Sequence, residues 1–455
     1  MEENMNMLYN VADKPGKRKL VVFAFQQLLA IMAATIAVPV ITNSATGSNM
    51  SIAAALFGAG VGTLVYVLFT KAKSPVFLGS SFAFLGSMAA AFAGAVSMEA
   101  GYAGLIVGAA MAGLVYAIIA AIVKAVGVDW INKLMPAVVI GPTVAIIGLS
   151  LAGSAVGDLQ RPNVEGGSTL IAILCGLVTM LVVTLCSTYG GRRLKLIPFI
   201  IGILAGYALA AIFTFIGMST GNTELMICDF SPITALLADG ITLSTFFSVP
   251  TFTVAAACDG FKQIDAAYLG TLFAAYVPVS FVVFAEHVAD HKNISSIIDA
   301  DLLKEPGLHR TLLGDGIGSA IGAVFGGCPN TTYGESIACV AITRNASVVT
   351  IIATAFLAIL FSFVAPVIAF LSAIPSCVMG GVCMTLYGFI AVSGLKMVQT
   401  VDLSENRNLF VVSVILISGI GGLSLHFGNI TITSVATALI LGIIVNKLLS
   451  CKKQA

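Results

Sequence analysis

Long apolar runs separated by short clusters of Gly, Pro, Asn or charge dominate the chain. A first set lies at about residues 20–43, 51–70, 76–95, 101–123, 134–155, 168–187 and 196–217. After a longer polar stretch a second set follows at about 267–290, 311–327, 331–344, 346–371, 376–395, 409–425 and 431–447. A helix needs about 20 apolar residues to cross a hydrocarbon core of about 30 Å. The pattern therefore predicts an all-α polytopic membrane protein of about fourteen segments, seven plus seven. The run after the polar N-terminus is too long for the apolar core of a cleaved leader and reads as a retained first span.

Composition agrees with this pattern. Of 455 residues, 58% are hydrophobic and 9% charged, against roughly 25% charged in soluble domains. Soluble enzymes and secreted scaffolds are poor readings, and a net charge of +1 gives no bulk attraction to nucleic acid. Cys175, Cys186, Cys339, Cys377 and Cys383 fall inside apolar runs, which suits packing rather than a disulfide framework. With the N-terminus cytoplasmic, all of the 22 Lys and Arg residues except Arg161 and Lys262 fall on the cytoplasmic side. That alternation needs about fourteen spans with both termini inside. An odd number per half inverts the second half relative to the first, as in inverted-repeat transporters.

The halves share an anomaly. The third run opens with Ser74-Pro75 and continues through Gly79, Ser80, Ser81 and Phe82; the tenth opens with Cys328-Pro329 and continues through Asn330, Thr331, Thr332, Tyr333 and Gly334. Paired interrupted segments point to a binding site, because non-helical backbone at membrane depth survives only where protein or a watery cavity satisfies it. Carboxylates in the bilayer are costly and usually functional, and those that stand out in apolar runs here are Glu335 in the tenth, and Glu286 and Asp290, one helical turn apart, in the eighth. A carboxyl withdrawn from water can exchange its proton near neutral pH, which would couple proton movement to solute movement. Two carboxylates, the backbone N–H groups of Phe82 and Gly334, and the rings of Phe82 and Tyr333 complement a planar heterocycle with adjacent N–H and C=O groups.

Competing patterns are weaker. His287-Val-Ala-Asp290-His291 has zinc-helix spacing, but an Asp stands where inverted zinc-protease motifs carry Glu, and Lys292 follows directly. Gly314-Asp-Gly316-Ile-Gly318 lacks the third glycine of a nucleotide loop at its proper offset and opens an apolar span, so close packing accounts for it better. An anion transporter on the same scaffold would carry a cation at the broken segments.

The stretch from Asp301 to Arg344, with Cys328-Pro-Asn-Thr-Thr-Tyr-Gly-Glu335, resembles the nucleobase-ascorbate transporters in their bacterial uracil permease branch. Gly79-Ser-Ser-Phe82, Ala285-Glu286-His287, Val378-Met-Gly-Gly381, Leu386-Tyr387-Gly388 and Asn408-Leu409 extend the likeness. It implies short extended strands in segments 3 and 10, a core domain from residues 1–127 and 263–373, and a gate domain from 128–262 and 374–455. It further implies proton-coupled uracil symport with no cofactor or metal beyond the proton, and a homodimer through the gate. Glu286 and Glu335 would accept from the ring nitrogens, Phe82 and Gly334 would donate to the ring carbonyls, Ser81, Tyr333 and Asp290 would belong to the proton-linked network, and Tyr387 would face the site from the gate. Departures from the family pattern are Gln27 where His is frequent, Ser336 and Ala338 in place of Asn and Gly, and Asp290 in place of the His of close uracil permeases. The last is shared with purine-transporting members, which makes a xanthine or urate permease the runner-up.

Overall fold

The structure is a computed structural model that describes residues 7–127, 136–191, 194–238, 240–427 and 430–450. Lys133, Arg192, Arg193, Lys452 and Lys453 from the charge count lie outside the described residues. The chain folds mostly into helices: α1 Lys17–Thr46, α2 Ile52–Phe69, α3 Leu85–Ala93, α4 Met98–Val126, α5 Ala137–Ser150, α6 Ala152–Leu159, α7 Thr169–Tyr189 and α8 Pro198–Thr220. After a stretch of short helical turns come α9 Ala266–Ile298, α10 Leu308–Gly326, α11 Gly334–Thr343, α12 Val348–Phe361, α13 Ala365–Ser372, α14 Ser376–Val398, α15 Asn406–Ile420 and α16 Ser434–Ser450. Two strand pairs interrupt this order, β1 Leu78–Ser80 with β2 Asn330–Thr332, and β3 Leu425–Phe427 with β4 Ile430–Ile432. Among the described residues eight helices are long and apolar enough to cross a membrane, α5 and α6 counting together as one.

Boundaries follow local chemistry. Ser51, Ser97 and Asp265 accept hydrogen bonds from the backbone of Ala54, Ala100 and Tyr268 and so start α2, α4 and α9. The run placed at 409–425 ends early as a helix, because Gly422 at φ 71° turns the chain into the β3–β4 hairpin. The run at 346–371 divides into α12 and α13. The eighth run is longer than its apolar pattern: α9 continues for 33 residues to Ile298, so Glu286 and Asp290 stand within a helix rather than at its frayed end.

The helices pack in two neighbourhoods. In one, α10 lies against α2 and α4, and α12 against α1 and α2; in the other, α14 lies against α5, α6 and α7, and α15 against α5 and α16. Without a hydrophobic drive between helices in lipid, close backbone approach through small residues holds such contacts. A Cβ on Gly58 of α2 would sit 2.5 Å from the Gly322 carbonyl of α10, and one on Gly394 of α14 would sit 2.2 Å from the Ala145 nitrogen of α5. Gly316 and Gly318 are explained the same way, since a Cβ on either would lie 2.8 Å from Tyr116 or Gly62, and a Cβ on Gly314 would press on Tyr66 and Phe69 at 3.1 Å.

Candidate functional site

The site grows from the two interrupted segments. β1 and β2 pair antiparallel, with Leu78 opposite Thr332, Gly79 opposite Thr331 and Ser80 opposite Asn330. Three-residue strands inside a helical protein need partners for every polar edge. Thr63 Oγ1 accepts from the Leu78 N–H at 2.9 Å and lies 3.1 Å from the Leu78 carbonyl, which it can donate to. Asn330 Nδ2 donates to the Gly58 carbonyl at 3.0 Å, and Ser319 Oγ donates to the Asn330 carbonyl. Ser81 N–H donates to the Pro329 carbonyl and Tyr333 N–H to the Phe77 carbonyl, tying the two ends together.

Each strand leads into a helix pointing away from the pair. Phe82 opens a 3-10 turn that continues into α3, and Gly334 opens α11. As first residues of their helices, both carry N–H groups with no intrahelical acceptor and sit at the positive ends of helix dipoles. The Tyr333 ring packs against Gly79 only because residue 79 is glycine, since a Cβ there would lie 2.3 Å from the ring. The ring is also tethered, because its hydroxyl donates to the Ser80 carbonyl at 2.7 Å.

A cavity of about 460 Å³ opens beside this junction, a size suited to a small organic solute. Glu286, Asp290, Glu335, Phe82, Tyr333 and Gly334 all line it, so six of the residues expected from sequence converge. Asp290 is held by Thr332, whose hydroxyl donates to Oδ2 at 2.7 Å. The remaining two expected residues lie behind the lining. Ser81 is enclosed with its hydroxyl unpartnered, and Tyr387 meets the site through Phe82, ring centroids 5.9 Å apart and edge to face. Tyr333 spends its hydroxyl on backbone rather than on a carboxylate.

Lys195 and Met397, from the α7–α8 connection and the last turn of α14, border the cavity. At the other end of α14 the Ser376 N–H donates to Asn163 Oδ1 at 2.8 Å. Beside that contact Arg161 Nη1 donates to Ser44 Oγ at 3.0 Å, and Ser44 Oγ donates to Asp158 Oδ1 at 3.3 Å, joining the end of α1 to α6. Exposed Lys195 thus borders the cavity, while Ser44, Asp158 and Arg161 stand outside its lining.

Two features escaped the sequence reading. Gln27 Nε2 donates to Ser336 Oγ at 2.6 Å, and the Phe77 N–H donates to the same oxygen at 3.1 Å, so two departures from the family pattern form one contact that ties α1, the residue before β1 and α11 together. Asp315 of α10 is a further carboxylate in an apolar run, with no exposed side-chain surface. Its position inside the run at 311–327 was the available signal. His287 and His291, spaced like metal ligands, instead have both ring nitrogens engaged by protein groups.

Residues 18–427 match the sequence profile of the permease family. The chain is 36% identical to the uracil permease of Bacillus caldolyticus over 449 residues, covering 98% of this chain and 95% of that protein. It is 34% identical to the uracil permease of Escherichia coli (strain K12), covering 95% and 92%. Among solved structures, the transmembrane domain of the cyanobacterial bicarbonate transporter BicA superposes with a TM-score of 0.57 at 15% identity, over 96% of this chain and all of that one. SLC26A9 superposes with a TM-score of 0.63 at 11% identity, over 96% of this chain and 66% of that one. At those identities the likeness concerns fold alone.

Proposed function

Because the chain belongs to the permease family, and so is a multi-pass membrane transporter rather than an enzyme, we propose that its solute is uracil, taken up together with a proton. One observation carries this reading: Glu286 and Glu335 share a cavity with the unpaired helix-first N–H groups of Phe82 and Gly334. Uracil offers N–H donors to carboxylate acceptors and C=O acceptors to backbone donors, on a flat ring that the Phe82 and Tyr333 faces can sandwich. The names of full-length relatives support the same solute.

The finer reading is fourteen spans in two inverted repeats, with both termini cytoplasmic. Residues 1–127 and 263–373 form a core that carries the site, 128–262 and 374–455 form a gate, and two copies associate through their gates. The separate packing of α2, α4, α10 and α12 from α5, α7, α14 and α15 supports the division. The core moves against the gate so that the cavity faces each side in turn. In this reading exposed Lys195, on the cytoplasmic side, marks the end of the cavity that opens inward. Glu286 and Asp290 take part in proton movement, while Ser81 and Tyr333 hold the strand that presents Phe82.

Uptake of labelled uracil into proteoliposomes under an inward proton gradient tests the proposal. Accumulation competed by unlabelled uracil but not by xanthine or urate is expected. Competition by the purines instead would transfer the site to a purine solute, and flux of sulfate or chloride without uracil would overturn the reading.

A further inference from the structure

Beside Glu286 and Asp290 on α9 lies a polar cluster whose residues do not line the cavity. His287 and His291 are enclosed, at 1% and 0% exposure, and their rings stack with centroids 4.1 Å apart. His287 Nδ1 lies 2.7 Å from Asp315 Oδ2, and its Nε2 lies 2.9 Å from Thr311 Oγ1. His291 Nδ1 lies 2.8 Å from the His287 carbonyl, and its Nε2 lies 2.7 Å from the Tyr66 hydroxyl, itself 2.7 Å from Ser74 Oγ.

Counting protons separates the two histidines. A carbonyl oxygen only accepts, so His291 Nδ1 carries hydrogen. A neutral His291 then accepts at Nε2 from Tyr66, and Ser74 donates to Tyr66. The chain ends at a backbone carbonyl, which cannot pass a proton on, so this branch fixes His291 in one state. His287 differs because Thr311 has two acceptors for one hydrogen: the Leu308 carbonyl at 3.0 Å and His287 Nε2 at 2.9 Å.

With the Thr311 hydrogen on Leu308, Nε2 must donate to Thr311. The Asp315–His287 contact then holds one additional proton, and the pair is neutral overall. With the Thr311 hydrogen turned to Nε2, Nδ1 donates to an ionised Asp315 and the pair carries one negative charge. The two arrangements differ by one proton and the rotation of one hydroxyl, every heavy atom staying in place. Asp315 Oδ1 and the hydroxyl of Tyr116 on α4 are also enclosed without partners. The titratable groups around the pair are Tyr116 from α4, Tyr66 from α2, Glu335 from α11, and Glu286, Asp290 and His291 from α9 itself.

We propose that Asp315, His287 and Thr311 form a proton-binding site separate from the carboxylates of the cavity, and that it stores a proton during the transport cycle. The inference deepens the proton-coupled reading and rests on it. Loading takes one proton from a hydronium ion that reaches the cavity beside Glu286, leaving water, places it between Asp315 Oδ2 and His287, and turns the Thr311 hydrogen to Leu308. Unloading reverses each change. Because Glu286 and His287 are consecutive on one helix, a charge on either side biases the other.

Thr311→Val removes the rotor while nearly keeping its shape, and Asp315→Asn removes the carboxyl. Both should bind uracil in detergent within a few-fold of wild type, yet lose proton-driven accumulation by about tenfold, the effect of about one buried hydrogen bond. The pH dependence of uptake should flatten. Uptake with wild-type pH profile and proton-to-uracil ratio would overturn the proposal, as would loss of uracil binding by Thr311→Val, which would make the cluster part of the solute site or the packing. Infrared difference spectra between acid and alkaline pH decide independently of uracil. A titrating Asp315 carboxyl or His287 imidazolium band, absent from Asp315→Asn and altered in Thr311→Val, supports the site; identical spectra in all three proteins refute it, even if the solute is another base.

Discussion

Glu286 and Glu335 lie on different helices, α9 and α11, yet line one cavity. An amide accepts at one oxygen and adds a donor, so Glu286→Gln or Glu335→Gln sets N–H against N–H when uracil binds. Each change should lower uracil affinity by at least about tenfold, the cost of a lost hydrogen bond to a charged group, as measured by ligand-induced thermal shift. Ser336 works through packing. Its hydroxyl oxygen accepts from both Gln27 and Phe77, so Ser336→Ala leaves buried donors unsatisfied at a cost of about 1–3 kcal/mol. The expected outcome is a lower unfolding temperature of the apo protein in detergent. The Glu pair was legible in sequence because a carboxylate in an apolar run is conspicuous. The Gln27–Ser336 contact was not, because it joins positions 309 residues apart and each looked only like a departure. Asp315 was hidden by the glycines beside it, which read as a packing face and drew attention from the charge between them.

Elements were legible where hydrophobic length decides them. The paired Pro and small polar residues marked both interruptions, and β1 and β2 form there because lipid-depth backbone must find partners that Thr63, Asn330 and Ser319 provide. The pairing of two segments from opposite halves of the chain is a long-range fact that no local periodicity contains. Boundaries set by a single residue, such as the stop at Gly422, shifted in the same way. The strand junction makes its own prediction. A methyl at residue 79 meets the Tyr333 ring, which its hydroxyl bond holds in place, so Gly79→Ala should weaken uracil binding by displacing that ring. Adding Tyr333→Phe frees the ring and should recover part of the loss, a non-additivity readable in a double-mutant cycle.

At the scale of the molecule, exposed Lys195 borders the cavity, while the Ser44–Asp158–Arg161 clasp lies outside its lining. In the proposed alternating-access cycle, that asymmetry is one of two poses. Arg161→Ala removes a hydrogen bond of the clasp, worth about 0.5–1.5 kcal/mol, and should shift the population toward the opposite opening by about tenfold at most. A cysteine introduced at Met397, with exposed Cys258 replaced, should then be labelled more slowly by a maleimide. Unchanged labelling would separate the clasp from the cycle. The most direct measurement of the whole account is proton-gradient-driven accumulation of labelled uracil in proteoliposomes by wild type, Glu286→Gln and Glu335→Gln. Accumulation by wild type alone, abolished by a protonophore, is predicted; full gradient-driven accumulation by either variant would contradict it.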